Sequence, residues 1–422
     1  MAEPAGAGGV PEELERCFGG LAAIGRDPSS GGYRRFAWTP EDGAARDWFR
    51  REAAALGLSV EQDGNGNLWA WWDRPAGSGG GTVRDGALVL GSHLDTVADG
   101  GAYDGALGLV SALVAVGLLR ARGWAPSSPV AVVAFADEEG GRFGLATVGS
   151  RLLAGSLDPG AARDARDAGG ATMAAALDGA GVPPAGLGPD PGRLGRVGAM
   201  VELHVEQGRA LVHLGTPLGV GSGIWPHGRW RLDLAGQADH AGTTALPDRR
   251  DPTLPLAVAI RAARRLAGEQ GAVATVGRIV VEPNGTNTVP GRITAWLDAR
   301  APDDACLDDL VDRWRDEVAA AGASEGVGTA VVAESRSAAV TFDPALRRVL
   351  AECLTGLGLG APELPTAAGH DAGALAAVVP AAMLFVRNRT GVSHSPAESA
   401  DPGDCVAGVE ALAAVVERLA GR

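Results

Sequence analysis

The chain reads as an α/β protein of two domains, the second interrupting the first. Its 422 residues exceed the size at which single cores usually split. Short apolar runs that end in polar residues alternate with apolar helical stretches, first up to about residue 217 and again from about 333. That rhythm belongs to buried strands joined by crossover helices. Between these blocks the order changes to strand, helix, strand, strand, helix, strand, the pattern of a small inserted α/β sandwich.

Taken in order, Pro40 to Leu56 has helical character, and the strand-like LSVEQDGNGNLWAWW carries hairpin-turn chemistry in its DGNGN. The Gly-rich stretch from Arg74 to Gly86 is a loop, and ALVLGSH is a buried strand whose end presents His93. Gly105 to Arg122 is an apolar helix, and PVAVVAFADEE is a second buried strand that delivers Glu138 and Glu139. Ligands of open α/β sheets gather at the carboxyl ends of strands, so both tips aim at one crevice. In VELHVEQG, alternation places Glu202, His204 and Glu206 on one face. WRLDLAG, a helix from Pro252 to Gly271, ATVGRIVVEP, GRITAWLDAR and a helix from Asp303 to Ala321 make up the insert. Buried strands and apolar helices return between Thr366 and Val386.

Composition removes several function classes. Hydrophobic content of 46% with 21% charged residues is that of a soluble globular protein, and no apolar run reaches the roughly 18 residues of a membrane span. MAEPAGAGGV lacks the features of a secretory signal and reads as a frayed tail, so a cytoplasmic protein is expected. The formal charge of −14 speaks against a nucleic-acid partner. Cys17, Cys306, Cys353 and Cys405 form no C-x-x-C pair, hence no thiolate zinc site is suggested. All 37 basic residues are arginines, which excludes Schiff-base and P-loop lysine chemistry.

The chemistry-bearing cluster is GSHLDTVADGGAYDG, in which His93 and Asp95 stand one residue apart and Asp104 lies on the glycine-rich loop beyond. Imidazole plus carboxylate suits zinc and related divalent ions. Glu138 and Glu139 place two like charges at the edge of a core, a conflict that a cation removes. One of them can bind the ion while the other accepts a proton from water. His204 and His394, in TGVSHSPAE, complete the set in a chain of seven histidines. A lone His-x-Asp pair or acidic pair is more often merely structural. Jointly, His93, His204, His394, Asp104 and Glu139 supply five ligands, enough for two metals if Asp104 bridges them.

The ordered motifs GSHLDTVADGGAYDGALGLV, DEEGGRFG, ELHVEQG, GQADHAGTT, PNGTNTVPG with LDAR, AGHDAG and GVSHSPAE resemble the M20 metallopeptidase superfamily, in its carbamoyl-amidohydrolase branch of allantoate and N-carbamoyl-L-amino-acid hydrolases. The resemblance implies a two-metal catalytic α/β domain with a central mixed sheet, formed by 12–217 and 333–422 and interrupted at 218–332 by an α/β-sandwich lid and dimerisation domain. His93, Asp104 and His204 are expected to hold one divalent ion and Asp104, Glu139 and His394 the other, with zinc, manganese, cobalt and nickel all suited to these donors. Glu138 is the expected general base, and Asp95 is expected to orient His93. His204, followed by Gln207, stands where peptidase members carry an acid.

The resemblance also gives His240, Asn287 and Arg300 of the insert, with Gln207 and His370, as substrate contacts. A guanidinium fork suits a carboxylate, and imidazole and amide groups suit an oxyanion. The implied activity is hydrolysis of a ureido or carbamoyl C–N bond of a small carboxylate-bearing substrate by metal-held hydroxide, in a homodimer. His213 and His227 match no ligand position. Arg387 and Arg389 depart from the usual pattern and suggest an alternative, an N-formyl or N-carbamoyl derivative of an acidic amino acid whose second carboxylate they hold. Two rivals remain, an aminopeptidase or dipeptidase, and a non-catalytic metal- or ligand-binding protein, against which the presence of Glu138 speaks.

Overall fold

The computed structural model describes residues 9–75 and 82–421. Residues 1–8 of the expected tail and 76–81 of the expected Gly-rich loop lie outside the described residues. Two compact units form, Met1–Gly223 with Thr341–Arg422, and Ile224–Val340.

In the first unit the described residues build a nine-stranded mixed sheet. Its spatial order is Ser59–Gln62, Leu68–Trp72, Val130–Phe135, Ala87–His93, Val197–Val205, Ala381–Val386, Leu218–Ile224 and Val340–Thr341, with Glu363–Thr366 pairing beside Leu218–Ile224. The four central strands run parallel. Leu68–Trp72 and Leu218–Ile224 flank them in the antiparallel sense. Every residue of Ala87–His93, Val130–Phe135 and Ala381–Val386 is buried, which is why these segments read as continuous apolar runs rather than alternating ones. Helix Ala106–Ala121 connects the first two and is buried along almost its whole length, so it is apolar on all sides. His93 is the last residue of its strand, and Phe385 of the neighbouring strand is in register with His204.

The DGNGN turn ties an outer hairpin to the centre of the unit. Asp63 Oδ1 accepts hydrogen bonds from the amides of Asn65 and Asn67 (3.0 and 2.9 Å), and Oδ2 accepts from Asn67 Nδ2 and Trp69 Nε1 (2.9 and 3.0 Å). Asn67, fully buried, then accepts from the amide of Ala136 (3.0 Å), one residue before the acidic run Asp137–Glu139. A turn signal that is local in sequence thus fixes a strand end that is remote from it.

The second unit is an antiparallel sheet in the order Val273–Glu282, Arg292–Arg300, His227–Ala235, Gly328–Ser337. Helices Thr253–Glu269 and Asp304–Ser324 cover one face, where Trp230, Leu232, Leu234, Leu266, Leu297 and Trp314 are buried. The strict alternation of buried positions in His227–Ala235 reflects this one-sided packing. The unit's limits differ from the expected 218–332. Leu218–Ile224 belongs to the large sheet, where it pairs antiparallel with Ala381–Val386, and a Cβ on Gly221 would come within 2.9 Å of the Met383 Cβ. At the other end Gly328–Ser337 stays paired with His227–Ala235 as far as Ser337, which carries the insert past 332. Among the described residues no helix is long and apolar enough to cross a membrane.

Asp63→Ala is expected to lower the unfolding free energy by about 3 kcal/mol, because buried donors on Asn67 and Trp69 lose their acceptor. Urea denaturation checks this, and a loss below about 0.5 kcal/mol would show that the turn does not carry this weight.

Candidate metal centre

Asp104 is the meeting point of four separated chain segments. It lies on the loop just ahead of helix Ala106–Ala121 and is 3% exposed. Its Oδ1 faces His93 Nε2 at 3.5 Å and His204 Nε2 at 3.2 Å. Its Oδ2 faces His394 Nε2 at 3.5 Å, and His394 Nε2 in turn lies 3.3 Å from Glu139 Oε2. Two groups, His93 with Asp104 and His204, and Asp104 with Glu139 and His394, each bring their donor atoms within 4.8 Å of one another and share Asp104.

Backbone carbonyls set the imidazole tautomers. His93 Nδ1 is 3.0 Å from the Asp95 carbonyl and His204 Nδ1 is 2.9 Å from the Val205 carbonyl. A carbonyl oxygen only accepts, so Nδ1 carries a proton in each ring, and Nε2 is the atom that would bind a cation lying between it and Asp104. The loop is shaped by glycine. Gly105 has φ of 66°, and a Cβ there would run into the His93 ring. His394 and Asp137 also hold left-handed backbone, with φ of 55° and 52°, a conformation that non-glycine residues adopt mainly where surrounding structure enforces it.

Buried acids crowd around the imidazoles here. Burial, reinforced by Glu139 and Asp371 and opposed by His93, pushes the Glu138 carboxyl well above its usual range. Burial and then Asp104 push Glu139 up to about 8. Burial opposes ionisation of Asp104 too, but His204 and His93 outweigh it and hold its carboxyl well below the ordinary value. Burial likewise disfavours a charged His93, yet Glu138, Asp104 and Asp95 together raise it. A divalent ion would take the place of the protons that this cluster otherwise gathers.

A family model described as peptidase family M20/M25/M40 matches residues 89–418. The chain is a member of that family. It is 38% identical over 413 residues to an N-carbamoyl-L-amino acid amidohydrolase of Geobacillus stearothermophilus, covering 95% of this chain and 96% of the relative. It is 33% identical over 414 residues to an allantoate amidohydrolase of Escherichia coli, covering 97% and 98%. Among solved structures, a hydantoinase/carbamoylase family amidase from Burkholderia multivorans superposes with a TM-score of 0.85 at 32% identity, covering 98% of each chain.

Several expected residues of this M20 family member sit somewhat differently from their sequence reading. The Asp95 carboxylate is 3.8 Å from His93 Nδ1, farther than its own carbonyl, and it accepts the amides of Glu138 (3.1 Å) and Glu139 (3.0 Å) instead. Gln207 Nε2 donates to Asp104 Oδ2 at 2.9 Å. Glu206 does not share the face of His204. The strand ends at Val205, and the Glu206 carboxylate turns to accept the amides of Ala210 and Leu211. His370, 2% exposed, packs its ring against His204 with centroids 4.5 Å apart. Burial and the neighbouring His204 hold it well below its usual pKa, hence neutral.

The two arginines expected to bind a second carboxylate are already engaged. Arg387 donates through Nε and an Nη to both oxygens of Asp404 (2.8 and 3.0 Å), and Arg389 donates to Asp401 (3.2 Å), beside the start of helix Pro402–Ala420. The sequence placed them close to His394 but could not show the acids facing them.

In the inserted unit, His240 pairs with Thr288 in a short antiparallel ladder, and the amide of Ala241 donates to the carbonyl of Asn287 (3.0 Å). His240 and Asn287 are therefore neighbours. Arg300 ends strand Arg292–Arg300, whereas the ladder is joined to the other end of that strand, where Gly291 packs on Ala238. At about 3.3 Å per residue the strand separates the two places by roughly 26 Å. His213 is exposed, and His227 lies at the start of its strand with Nδ1 3.4 Å from the Trp225 carbonyl.

Sequence reasoning passed over three residues that reach this centre. Ser393 Oγ donates to Asp104 Oδ2 at 3.2 Å, and Glu398 accepts the Asp104 amide at 2.9 Å. Arg35, 1% exposed, donates from Nε to the Leu94 carbonyl at 2.8 Å and from its amide to Thr96 Oγ1 at 2.9 Å, which grips the chain on either side of Asp95. Ser393 and Glu398 lie within the quoted GVSHSPAE motif, so their adjacency to His394 was the available signal. For Arg35 there was none.

Gly105→Ala is expected to weaken divalent-ion binding by about tenfold or more, since the new methyl displaces His93. Titration with manganese followed by elemental analysis measures it. Unchanged affinity would show that His93 is not a ligand in this position.

Proposed function

We propose that the protein is a metal-dependent amidohydrolase that cleaves a ureido or carbamoyl C–N bond of a small carboxylate-bearing substrate, with allantoate and N-carbamoyl-L-amino acids as the first candidates. The observation that carries this reading is the division of labour at Asp104, one oxygen toward His93 and His204 and the other toward His394. The donors fit a pair of ions. A tetrahedral ion with bonds of about 2.0–2.1 Å sets its ligands roughly 3.3 Å apart, and the N···O separations here are 3.2 to 3.5 Å. We assign His93, Asp104 and His204 to one ion and Asp104, Glu139 and His394 to the other, with zinc, manganese, cobalt or nickel all chemically suited.

Ions held there would lower the pKa of water and polarise the substrate carbonyl. Glu138, whose Oε2 is 3.8 Å from His93 Nε2, accepts the proton of the attacking water and passes it to the leaving nitrogen. The amides of Glu138 and Glu139 are held on one carboxylate, that of Asp95, so the base and the neighbouring ligand keep a fixed separation. His240 and Asn287 donate to the oxyanion, Arg300 holds the carboxylate, and Gln207 with neutral His370 contacts the ureido group. Arg387 grips both oxygens of Asp404 and Arg389 donates to Asp401, which favours a substrate with a single carboxylate over a glutamate derivative.

The reading also includes a homodimer. The ladder that carries His240 adjoins the Arg292 end of the strand that Arg300 closes, roughly 26 Å away, too far for one small substrate to meet both from a single chain. Exposed Val273, Ile279, Val280 and Val332 on the outer strands of the same sheet offer apolar surface for a second copy.

The deciding assay is ammonia release by the metal-loaded protein from allantoate and N-carbamoyl-L-amino acids, with dipeptides and N-formylglutamate in parallel. Turnover of the ureido acids is expected. Turnover of dipeptides alone would establish a peptidase instead. Glu138→Gln is expected to retain bound metal and lose nearly all turnover, and a rate within about tenfold of the wild type would remove Glu138 from the role of base. Mixed dimers of His240→Ala and Glu138→Gln chains are expected to recover part of the activity that each homodimer lacks. No recovery would place His240 and Glu138 in the same subunit's site.

A further inference from the structure

We propose that Glu398 is a positioning residue that locks the Asp104 loop to the turn carrying His394. The inference rests on the reading of Asp104 and His394 as metal ligands. One oxygen of Glu398 accepts two consecutive amides, those of Tyr103 and Asp104, both at 2.9 Å and from nearly 300 residues away in sequence. The side chain is 5% exposed, and its second oxygen has no hydrogen-bond partner among the described residues. Burying a carboxylate for a turn alone is unfavourable, so its amide contacts call for a purpose.

The turn itself is compact. Glu398 N–H donates to the Ser395 carbonyl (3.1 Å), the Ala397 amide donates to Ser395 Oγ (3.3 Å), and Thr390 Oγ1 donates to the Ala397 carbonyl (3.0 Å). Two side chains leave this turn toward the same residue. His394 and the adjacent Ser393 face Asp104 Oδ2 at 3.5 and 3.2 Å, while Glu398 holds the Asp104 amide. Asp104 is thereby gripped at its carboxylate and at its backbone by one rigid turn, so His394 cannot move without Asp104 following. Gly101 completes the device. Its φ is unexceptional, but a Cβ there would overlap the Glu398 carboxylate, so glycine is required for space rather than for backbone freedom.

The test measures metal content and affinity directly, by manganese titration and elemental analysis of the full-length wild type, Glu398→Ala, Glu398→Gln and Gly101→Ala, with circular dichroism to verify folding. Wild type is expected to bind two ions. Glu398→Ala is expected to weaken the ion between Asp104 and His394 by about tenfold or more. Gly101→Ala, which keeps the carboxylate but denies it its place, is expected to do the same, and it supplies the answer if Glu398→Ala does not fold. Glu398→Gln is expected to restore binding, because one amide oxygen can still accept both N–H groups. Two ions in the wild type with undiminished affinity in Glu398→Ala or Gly101→Ala overturn the inference alone. Failure of Glu398→Gln to rescue also overturns it, since a charge rather than a clamp is then at work. A wild type that binds fewer than two ions overturns the two-ion reading, and this inference falls with it.

Discussion

The arrangement of the first unit depends on one carboxylate having to serve two directions from a buried position. Asp104 turns one oxygen toward the strand ends that carry His93 and His204, and the other toward His394. A side chain of two rotatable bonds can do this only if its backbone is fixed, and the surrounding sequence is organised accordingly. Neighbouring parallel strands carry His93 and His204 with ring centroids 5.7 Å apart. Gly105 lets the helix start directly beneath the His93 ring, and Gly108 allows the same helix to press on the Leu203 carbonyl. The apolar helix Ala106–Ala121 then has to be buried throughout, which in turn requires the sheet to be covered.

Charge is the second consequence. Asp95, Asp104, Asp137 and Glu138 are all buried, and protein interiors do not accept that many ionised carboxylates without compensation. Part of it comes from backbone amides, as at Asp95, and part from Arg35, whose guanidinium burial lowers to about 10. The remaining deficit sits where the donor atoms of His93, His204, His394, Asp104 and Glu139 converge. Electrostatic need and ligand geometry therefore point to the same place, which is the physical reason for reading the cluster as a cation site rather than as a hydrogen-bonded core.

Much of this was legible in the sequence because it is local. A buried parallel strand writes itself as an uninterrupted apolar run, so ALVLGSH and VAVVAF declared both their class and the polar residues at their ends. The two helices begin beside Thr39 and Asp303, whose side chains accept from the amides of Asp42 and Cys306, a capping signal that the sequence reading did not use. What the sequence concealed is tertiary. Leu218–Ile224 looked like the start of the insert because glycine-rich LGVGSGI gives no sign of which sheet it joins. Arg387 and Arg389 looked available because Asp404 and Asp401 reach them from a different element. The resemblance gave Asp95 as the residue that orients His93, and it is the Asp95 carbonyl that faces the ring while its carboxylate meets amides some forty residues downstream. Arg35 carries no motif and became visible only through its contacts with Leu94 and Thr96.

The proposed joining of two cations by Asp104 can be seen in anomalous scattering from crystals loaded with manganese. Two peaks about 3.5–4 Å apart are expected, one bounded by His93 and His204, the other by Glu139 and His394, with one Asp104 oxygen on each. A single peak, or two peaks of which one does not touch Asp104, would contradict it.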